Sequence, residues 1–372
     1  MRYDYLIVGC GFFGSVFAQQ LHESGKSVLM IDRRPHIGGN CYTYEYEDTG
    51  IIVHAYGSHI FHCSDDDTWN YINRFTSFNR HQHRVLTTHR GKVYSMPINL
   101  GTINSFFGLN LRPADVAEFL DAQRPSGTEK PANLEDQAIS LIGRPLYEAF
   151  IRGYTSKQWG CDPRELPANI ITRLPVRNSY HDAYFNDRYQ GIPLEGYTPI
   201  FERMLKDIPV ELGVDFFADR ELWEKRAHKV VYSGPIDRYF DYCYGHLNWR
   251  SVRFEVEHLP TPDYQGISVM NYADEDVPFT RIHELKHLHL ERQWNRNATV
   301  IMREFSHIDA EQPYYPVNFA SDREMYEKYS QLQNECPDVI FGGRLARYKY
   351  FDMHQVIAGA LVSVRKELSG VS

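Results

Sequence analysis

Tyr5-Leu6-Ile7-Val8-Gly9-Cys10-Gly11-Phe12-Phe13-Gly14 is an apolar run that breaks into glycines and resumes as Ser15-Val16-Phe17-Ala18-Gln19-Gln20-Leu21. The run lacks polar alternation, as a parallel strand covered on both faces does, and the residues after Gly14 carry helical spacing. The stretch therefore predicts a strand, a tight turn and a helix. Gly9 suits the turn, Gly11 lets backbone N–H groups approach a pyrophosphate, and Gly14 lets the helix lie close to the strand; the helix N-terminus adds partial positive charge. Ser27-Val28-Leu29-Met30-Ile31 then reads as a second parallel strand ending at Asp32. A carboxylate there accepts from ribose hydroxyls and repels a 2′-phosphate, which disfavours NADP although Arg33 and Arg34 follow. A second glycine turn comes next, Pro35-His36-Ile37-Gly38-Gly39-Asn40. Two glycine turns on one nucleotide suit a longer ligand, so the expectation moves from NAD to FAD.

The chain has 372 residues, enough for two or three cores, and an apolar fraction of 42%. A net charge of −8 argues against a general binder of nucleic acid or anionic membranes, so any phosphate site must be a local group of arginines. The six cysteines are dispersed, with no CxxC or zinc spacing, and no apolar stretch approaches a membrane span. A reduced, cytoplasmic, soluble protein without membrane insertion is expected.

The expected fold class is α/β: a Rossmann-like FAD-binding domain with an inserted helical domain and an antiparallel β-sheet domain. The expected boundaries are 1–80, 195–240 and 335–372 for the discontinuous FAD domain and 100–180 for the helical domain, with a mobile substrate loop at about 162–178. Residues 81–99, 181–194 and 241–334 are left for the sheet domain. Helical spacing over Asp115–Leu120, Leu134–Ile142 and Leu146–Phe150, broken by Pro113, Pro125 and Pro131, marks the insertion. Strand-like runs at Arg253–Glu257, Ile267–Tyr272 and Ala298–Phe305 mark the antiparallel sheet. Val230-Val231-Tyr232-Ser233-Gly234-Pro235 and Val339-Ile340-Phe341-Gly342-Gly343 read as later strands entering glycine turns, the first returning to the nucleotide-binding sheet.

Val53 to His62 alternates at strand period, interrupted by Gly57. His54, His59 and His62 lack a spaced acidic or thiol partner, and simple alternation explains His283, His287 and His289, so no metal is expected. His59 is placed instead near a flavin ring. No Ser/His/Asp or Cys/His spacing and no close carboxylate pair declares a protein-based nucleophile or a hydrolase.

The motifs GSHIFH, GYTSKQW, RLPVR, MNY, PFTRIHE, PYYPV and GRLARYKYFDM occur in this order behind the glycine cradle. With them, the chain resembles the bacterial UDP-galactopyranose mutase family over essentially its whole length. The resemblance implies a homodimeric flavoenzyme that interconverts UDP-galactopyranose and UDP-galactofuranose for cell-surface glycans. N5 of reduced FAD would attack the anomeric carbon, followed by displacement of UDP, ring opening and recyclisation. It also implies that Arg173 and Arg281 clamp the diphosphate, with Tyr315 and Tyr350 donating to it, and that His59 joins the two arginines in the catalytic set. Phe150, Thr155, Trp159, Tyr184 and Asn271 match the uridine and sugar side, as does His83, where some members carry asparagine. Gly9, Gly11, Phe13, Gly14, Asp32, Arg33, Gly39 and Asn40 match the FAD site, as do His59, Ile60, Arg344, Tyr350, Asp352 and Met353. Ser58 stands where many members have proline. Two other readings share the glycine turns: an amine-oxidase-like flavin oxidoreductase, and a noncatalytic relative such as the GTPase dissociation inhibitors.

Overall fold

The computed structural model describes residues 2–47, 49–125, 130–171, 175–294, 297–308 and 312–370. The opening apolar run is the strand Tyr3–Val8, central in a five-stranded sheet. Its neighbours are Val28–Asp32 and Ala227–Tyr232, with Val210–Leu212 and Val339–Phe341 outside them; every pairing is parallel. Ile7, Met30 and Val231 pack on one face with Val16, Phe17 and Leu21 of the helix Phe12–Glu23 and with Ile357 and Val364 of the helix Met353–Ser369. Leu6, Leu29, Val230 and Tyr232 pack on the other with Phe216 and Trp223. Both faces are covered, and this is why the strands carry no polar alternation. The short strand Val210–Leu212 was not legible in the sequence.

Helices occupy much of the expected insertion. Asn99 caps Leu100–Phe107 by accepting from the N–H groups of Gly101 and Thr102, and Asn133 caps Leu134–Tyr147 through the N–H of Asp136. Gly143, at φ +77, bends the latter helix where a Cβ would lie 2.6 Å from Gln123 Cβ. A widened turn, Glu148–Arg152, then leads into the helix Gly153–Trp159.

The second sheet has seven strands, in the order Tyr315–Pro316, Trp249–Leu259, Thr299–His307, Arg281–Glu284, Val269–Tyr272, Val85–His89 and Lys92–Met96. It is not wholly antiparallel as expected: Val269–Tyr272 and Val85–His89 run parallel. A parallel pair needs a long crossover, and the chain between these strands, which includes the helical segment, supplies one. The Val53–His62 run divides at Gly57 into Ile52–His54 and Phe61–Cys63, which join separate two-stranded ladders.

Candidate active site

After Val8 the chain turns through Gly9 at φ +110, where a Cβ would lie 2.2 Å from Ser233 Oγ. A Cβ on Gly14 would sit 2.0 Å from the Gly9 carbonyl oxygen, so glycine at both positions is a packing requirement. Gly11 differs: a Cβ there meets no protein atom within 4 Å. It opens on a cleft of about 530 Å³, with Gly9 and Phe13 beside it and Arg33, Gly39 and Asn40 further along. His59, Arg344 and Met353 line the same cleft.

Asp32 holds the glycine turn and faces this cleft. Its Oδ2 accepts from the Cys10 N–H at 2.7 Å and its Oδ1 from the Arg34 N–H at 2.9 Å. Each oxygen keeps a further lone pair for a ribose hydroxyl. Asn40 Oδ1 accepts from Arg34 Nη1 at 2.9 Å, and the Arg34 guanidinium lies 4.4 Å from the Tyr56 ring centre. Arg344 Nη2 donates to the Phe351 carbonyl at 2.6 Å, and its guanidinium lies 4.7 Å from the Tyr350 ring centre. The glycine opening, the Asp32 carboxylate and the helix N-terminus at Gly11 together fit a dinucleotide.

His59 Nδ1 is 2.7 Å from the Gly57 carbonyl oxygen. A carbonyl only accepts, so Nδ1 carries the hydrogen. Burial, assisted by Arg344, pulls the imidazole pKa down to about 4 although the Gly57 bond opposes this. The ring is therefore neutral at pH 7, and Nε2 is an acceptor. The three histidines of this segment do not converge on one point: His54 Nδ1 accepts from the His59 N–H at 3.1 Å, and His62 Nδ1 pairs with Asp187 Oδ2 at 2.7 Å. His283, His287 and His289 likewise diverge, toward Glu304, Asp263 and Glu291.

Four residues assigned to the cofactor lie off the lining of the cleft. Gly14 sits in the strand–helix contact, Ile60 is buried with Val53, Ile192 and Leu285, and Asp352 is the N-cap of the last helix. Tyr350 stands 5.8 Å from Tyr315, ring centre to ring centre.

The second part of the site is built on the seven-stranded sheet. Arg281 pairs across the ladder with Asn271 on one side and Glu304 on the other. Glu304 shares the buried face of its strand with Val300 and Met302 and is 6% exposed. Its Oε2 is 3.6 Å from Arg281 Nη1 and 3.1 Å from His283 Nε2, while Oε1 accepts from Thr280 Oγ1 at 3.0 Å. A carboxylate only accepts, so His283 Nε2 carries a hydrogen; in the neutral ring Nδ1 then accepts from the Ser58 hydroxyl, 2.8 Å away. Burial raises the Glu304 pKa, but Arg281, His283 and Thr280 more than offset it and hold the carboxyl at about 2. Burial also opposes the charge on Arg281, yet Glu304, Tyr154, Tyr184 and Tyr315 keep its pKa above the usual value.

Among the described residues, Arg281 Nε, Asn271 Oδ1 and His83 Nδ1 are buried without hydrogen-bond partners. Such atoms are costly unless something else satisfies them, and all three belong to the set assigned to the substrate. Tyr184 meets His83 edge-on at 5.4 Å. Thr155 is buried on the helix Gly153–Trp159, which also carries Trp159. Phe150 is packed among Tyr94, Phe106 and His89, inside the helical core. Arg173 lies outside the described residues; the segment before it carries the buried Leu166 and Ile171. Glu304 and Tyr154 are neighbours of Arg281 that the sequence reading missed. The available signal for Glu304 was an acid falling in phase with Val300 and Met302.

The class defined here is that of Rossmann-like dinucleotide-binding enzymes of the flavin type, with a cationic and phenolic pocket built on a second sheet. Residues 7–75 match the family model of the NAD(P)-binding Rossmann-like domain, and residues 149–350 match that of UDP-galactopyranose mutase. The chain is 42% identical over 374 residues to a probable UDP-galactopyranose mutase of Klebsiella pneumoniae, covering 99% of this chain and 96% of that one. It is 41% identical over 365 residues to dTDP-fucopyranose mutase of Escherichia coli, covering 96% of each. A crystal structure of reduced UDP-galactopyranose mutase shares the fold, with a TM-score of 0.76 at 15% identity over 100% of this chain and 96% of that one.

The chain belongs to the UDP-galactopyranose mutase family and is an isomerase of that type. The family points to a flavin-type cofactor and a nucleotide-sugar substrate. Among the described residues no helix is long and apolar enough to cross a membrane.

Proposed function

We propose that this protein interconverts UDP-galactopyranose and UDP-galactofuranose with reduced FAD in the glycine-lined cleft. The observation that carries this is the buried Arg281 with its unpartnered Nε, set between Asn271 and Glu304. In this reading Arg281 takes the diphosphate, and its planar fork suits phosphate oxygens as a lysine would not. Tyr315 and Tyr350, paired beside Arg344, continue the polar surface toward the cofactor cleft and donate to the same diphosphate. Such donors favour departure of the nucleotide because they act on charge that grows as the glycosidic bond breaks. His83, Tyr184, Thr155, Trp159 and Asn271 hold the base and sugar, and Arg173 completes the clamp. When bound, the reduced flavin supplies, through N5, the electron pair that attacks the anomeric carbon. The neutral His59 offers Nε2 as an acceptor at this cleft without adding charge.

The test is to incubate dithionite-reduced protein with UDP-galactofuranose and follow the ring form by chromatography. Turnover by the reduced form and none by the oxidised form is expected; equal rates would refute the flavin nucleophile. The near-equal identity to the dTDP-fucopyranose mutase favours a second reading, the same ring contraction on a thymidine-linked 6-deoxy sugar. The ratio of kcat/KM for the two nucleotide sugars, measured side by side, decides between them.

A further inference from the structure

Asn271 is the last residue but one of the strand Val269–Tyr272 and Arg281 begins the next, and residues 273–280 form the loop that joins the two strands. The loop is closed at its base, where the Tyr272 N–H donates to the Thr280 carbonyl at 2.9 Å and the Thr280 N–H to the Glu304 carbonyl at 2.8 Å. Its interior is filled from elsewhere. Lys157, on the helix Gly153–Trp159, places Nζ 2.7 Å from the carbonyl oxygens of Tyr272 and Asp274, 3.0 Å from that of Val277 and 3.1 Å from that of Phe279.

Lys157 is therefore not an ion pair with the acids of the loop. Asp274 Oδ1 is taken by His89 at 2.7 Å, and Glu275 lies 3.5 Å from Arg152. An ammonium has three N–H donors, so four inward carbonyls share them, an arrangement like the carbonyl rings that replace the hydration shell of a monovalent cation. Burial draws the amine's pKa down to about 8, while Asp274, Asp276 and Glu275 act to raise it; the group is cationic at neutral pH. A second observation on the same helix agrees. Gly153, one turn before Lys157 and on the same face, has the loop so close that a Cβ would lie 2.4 Å from the Ala273 carbonyl oxygen and 2.8 Å from Glu275 Cγ.

We propose that Lys157 is a positioning residue for the active site: its ammonium sets the 273–280 loop from inside, and through that loop aims Asn271 and Arg281. The inference rests on the reading that these two side chains face the nucleotide sugar. Because Thr155 and Trp159 lie on the same helix, one ammonium also fixes the distance between the helical and sheet halves of the pocket. The hydrogen bonds of Lys157 Nζ go to backbone carbonyls of residues 272–279.

The test uses the full-length, flavin-loaded protein. Lys157→Ala is expected to keep its flavin content and to melt at a lower temperature, because four carbonyls lose their donor, while kcat/KM falls about 10²-fold, the scale of loss for a misplacement of about 1 Å. Ammonium or methylammonium at constant ionic strength should then restore activity saturably, because either can occupy the carbonyl cage, whereas tetramethylammonium should not. Lys157→Gln, which keeps two donors but no charge, should fall between. Arg281→Ala should lose activity with no response to ammonium. Near-normal kcat/KM in Lys157→Ala beside an impaired Arg281→Ala overturns the role of Lys157 and leaves the mutase reading intact. Near-normal activity in Arg281→Ala overturns that reading itself. Loss in Lys157→Ala without rescue, or failure of both Lys157 variants to fold with flavin, also overturns the proposal.

Discussion

Replacing Glu304 with Gln removes one charge from the centre of the polar cluster while keeping its shape. In the folded protein the Glu304 carboxyl is held at about 2 against an ordinary 4.5, by Arg281, His283 and Thr280 acting against burial. At about 1.4 kcal/mol per pKa unit, this gap corresponds to about 3 kcal/mol of folding stability. A depressed carboxyl contributes above its unfolded pKa and loses the contribution as pH falls through its folded one. The stability gap between wild type and Glu304→Gln should therefore be constant from pH 6 to pH 8 and close only below about pH 4.5. Denaturant titrations at several pH values measure it. Turnover should fall with stability, on the order of 10²-fold if Arg281 moves by about 1 Å, since Glu304 is the carboxylate 3.6 Å from its Nη1. A Glu304→Gln protein with unchanged denaturation midpoint and unchanged kcat/KM would refute the claim that this carboxylate holds the arginine.

Gly11→Ala should leave the melting temperature of the flavin-free protein unchanged and lower flavin content on purification, because its Cβ enters only the cleft. Gly14→Ala should lower both, since its Cβ lies 2.0 Å from a backbone oxygen that cannot yield. Arg281→Ala should reduce turnover of the reduced protein on the order of 10²-fold or more, the loss typical of removing an electrostatic clamp; a near-normal rate would reject its role. His59, held at about 4 against an ordinary 6.5, stays unprotonated while the unfolded chain takes up a proton. Its contribution to stability is full above about pH 6.5 and is lost as pH falls toward 4, so His59→Asn should flatten the stability profile between those values; a profile parallel to wild type would show that His59 is not buried as described.

The opening stretch carried its own reading because each step in it is local. The glycines at 9, 11 and 14 act on neighbours a few residues away, and Asp32 closes the second strand. The parallel pairing of Tyr3–Val8 with Ala227–Tyr232 was also within reach, since Val230 to Pro235 repeats the pattern of an apolar run entering a glycine turn. Val210–Leu212 was not, because a three-residue strand has too few positions to show a period. The expectation of a wholly antiparallel second sheet failed because strand direction depends on which distant segment lies alongside, and Val85–His89 is separated from Val269–Tyr272 by the helical insertion.

Residue types in order told which groups were present: a dinucleotide cradle, scattered arginines and tyrosines, and one lysine in GYTSKQW. Ladder register alone decided that Arg281 would stand between Asn271 and Glu304, and helix packing alone brought four carbonyls around Lys157. Backbone turns are governed by contacts between near neighbours, so their requirements are written in adjacent residues. The convergence of side chains from separate strands and helices follows from burial of the faces between them, and a one-residue slip in register would have turned Glu304 away from the arginine without altering any local pattern.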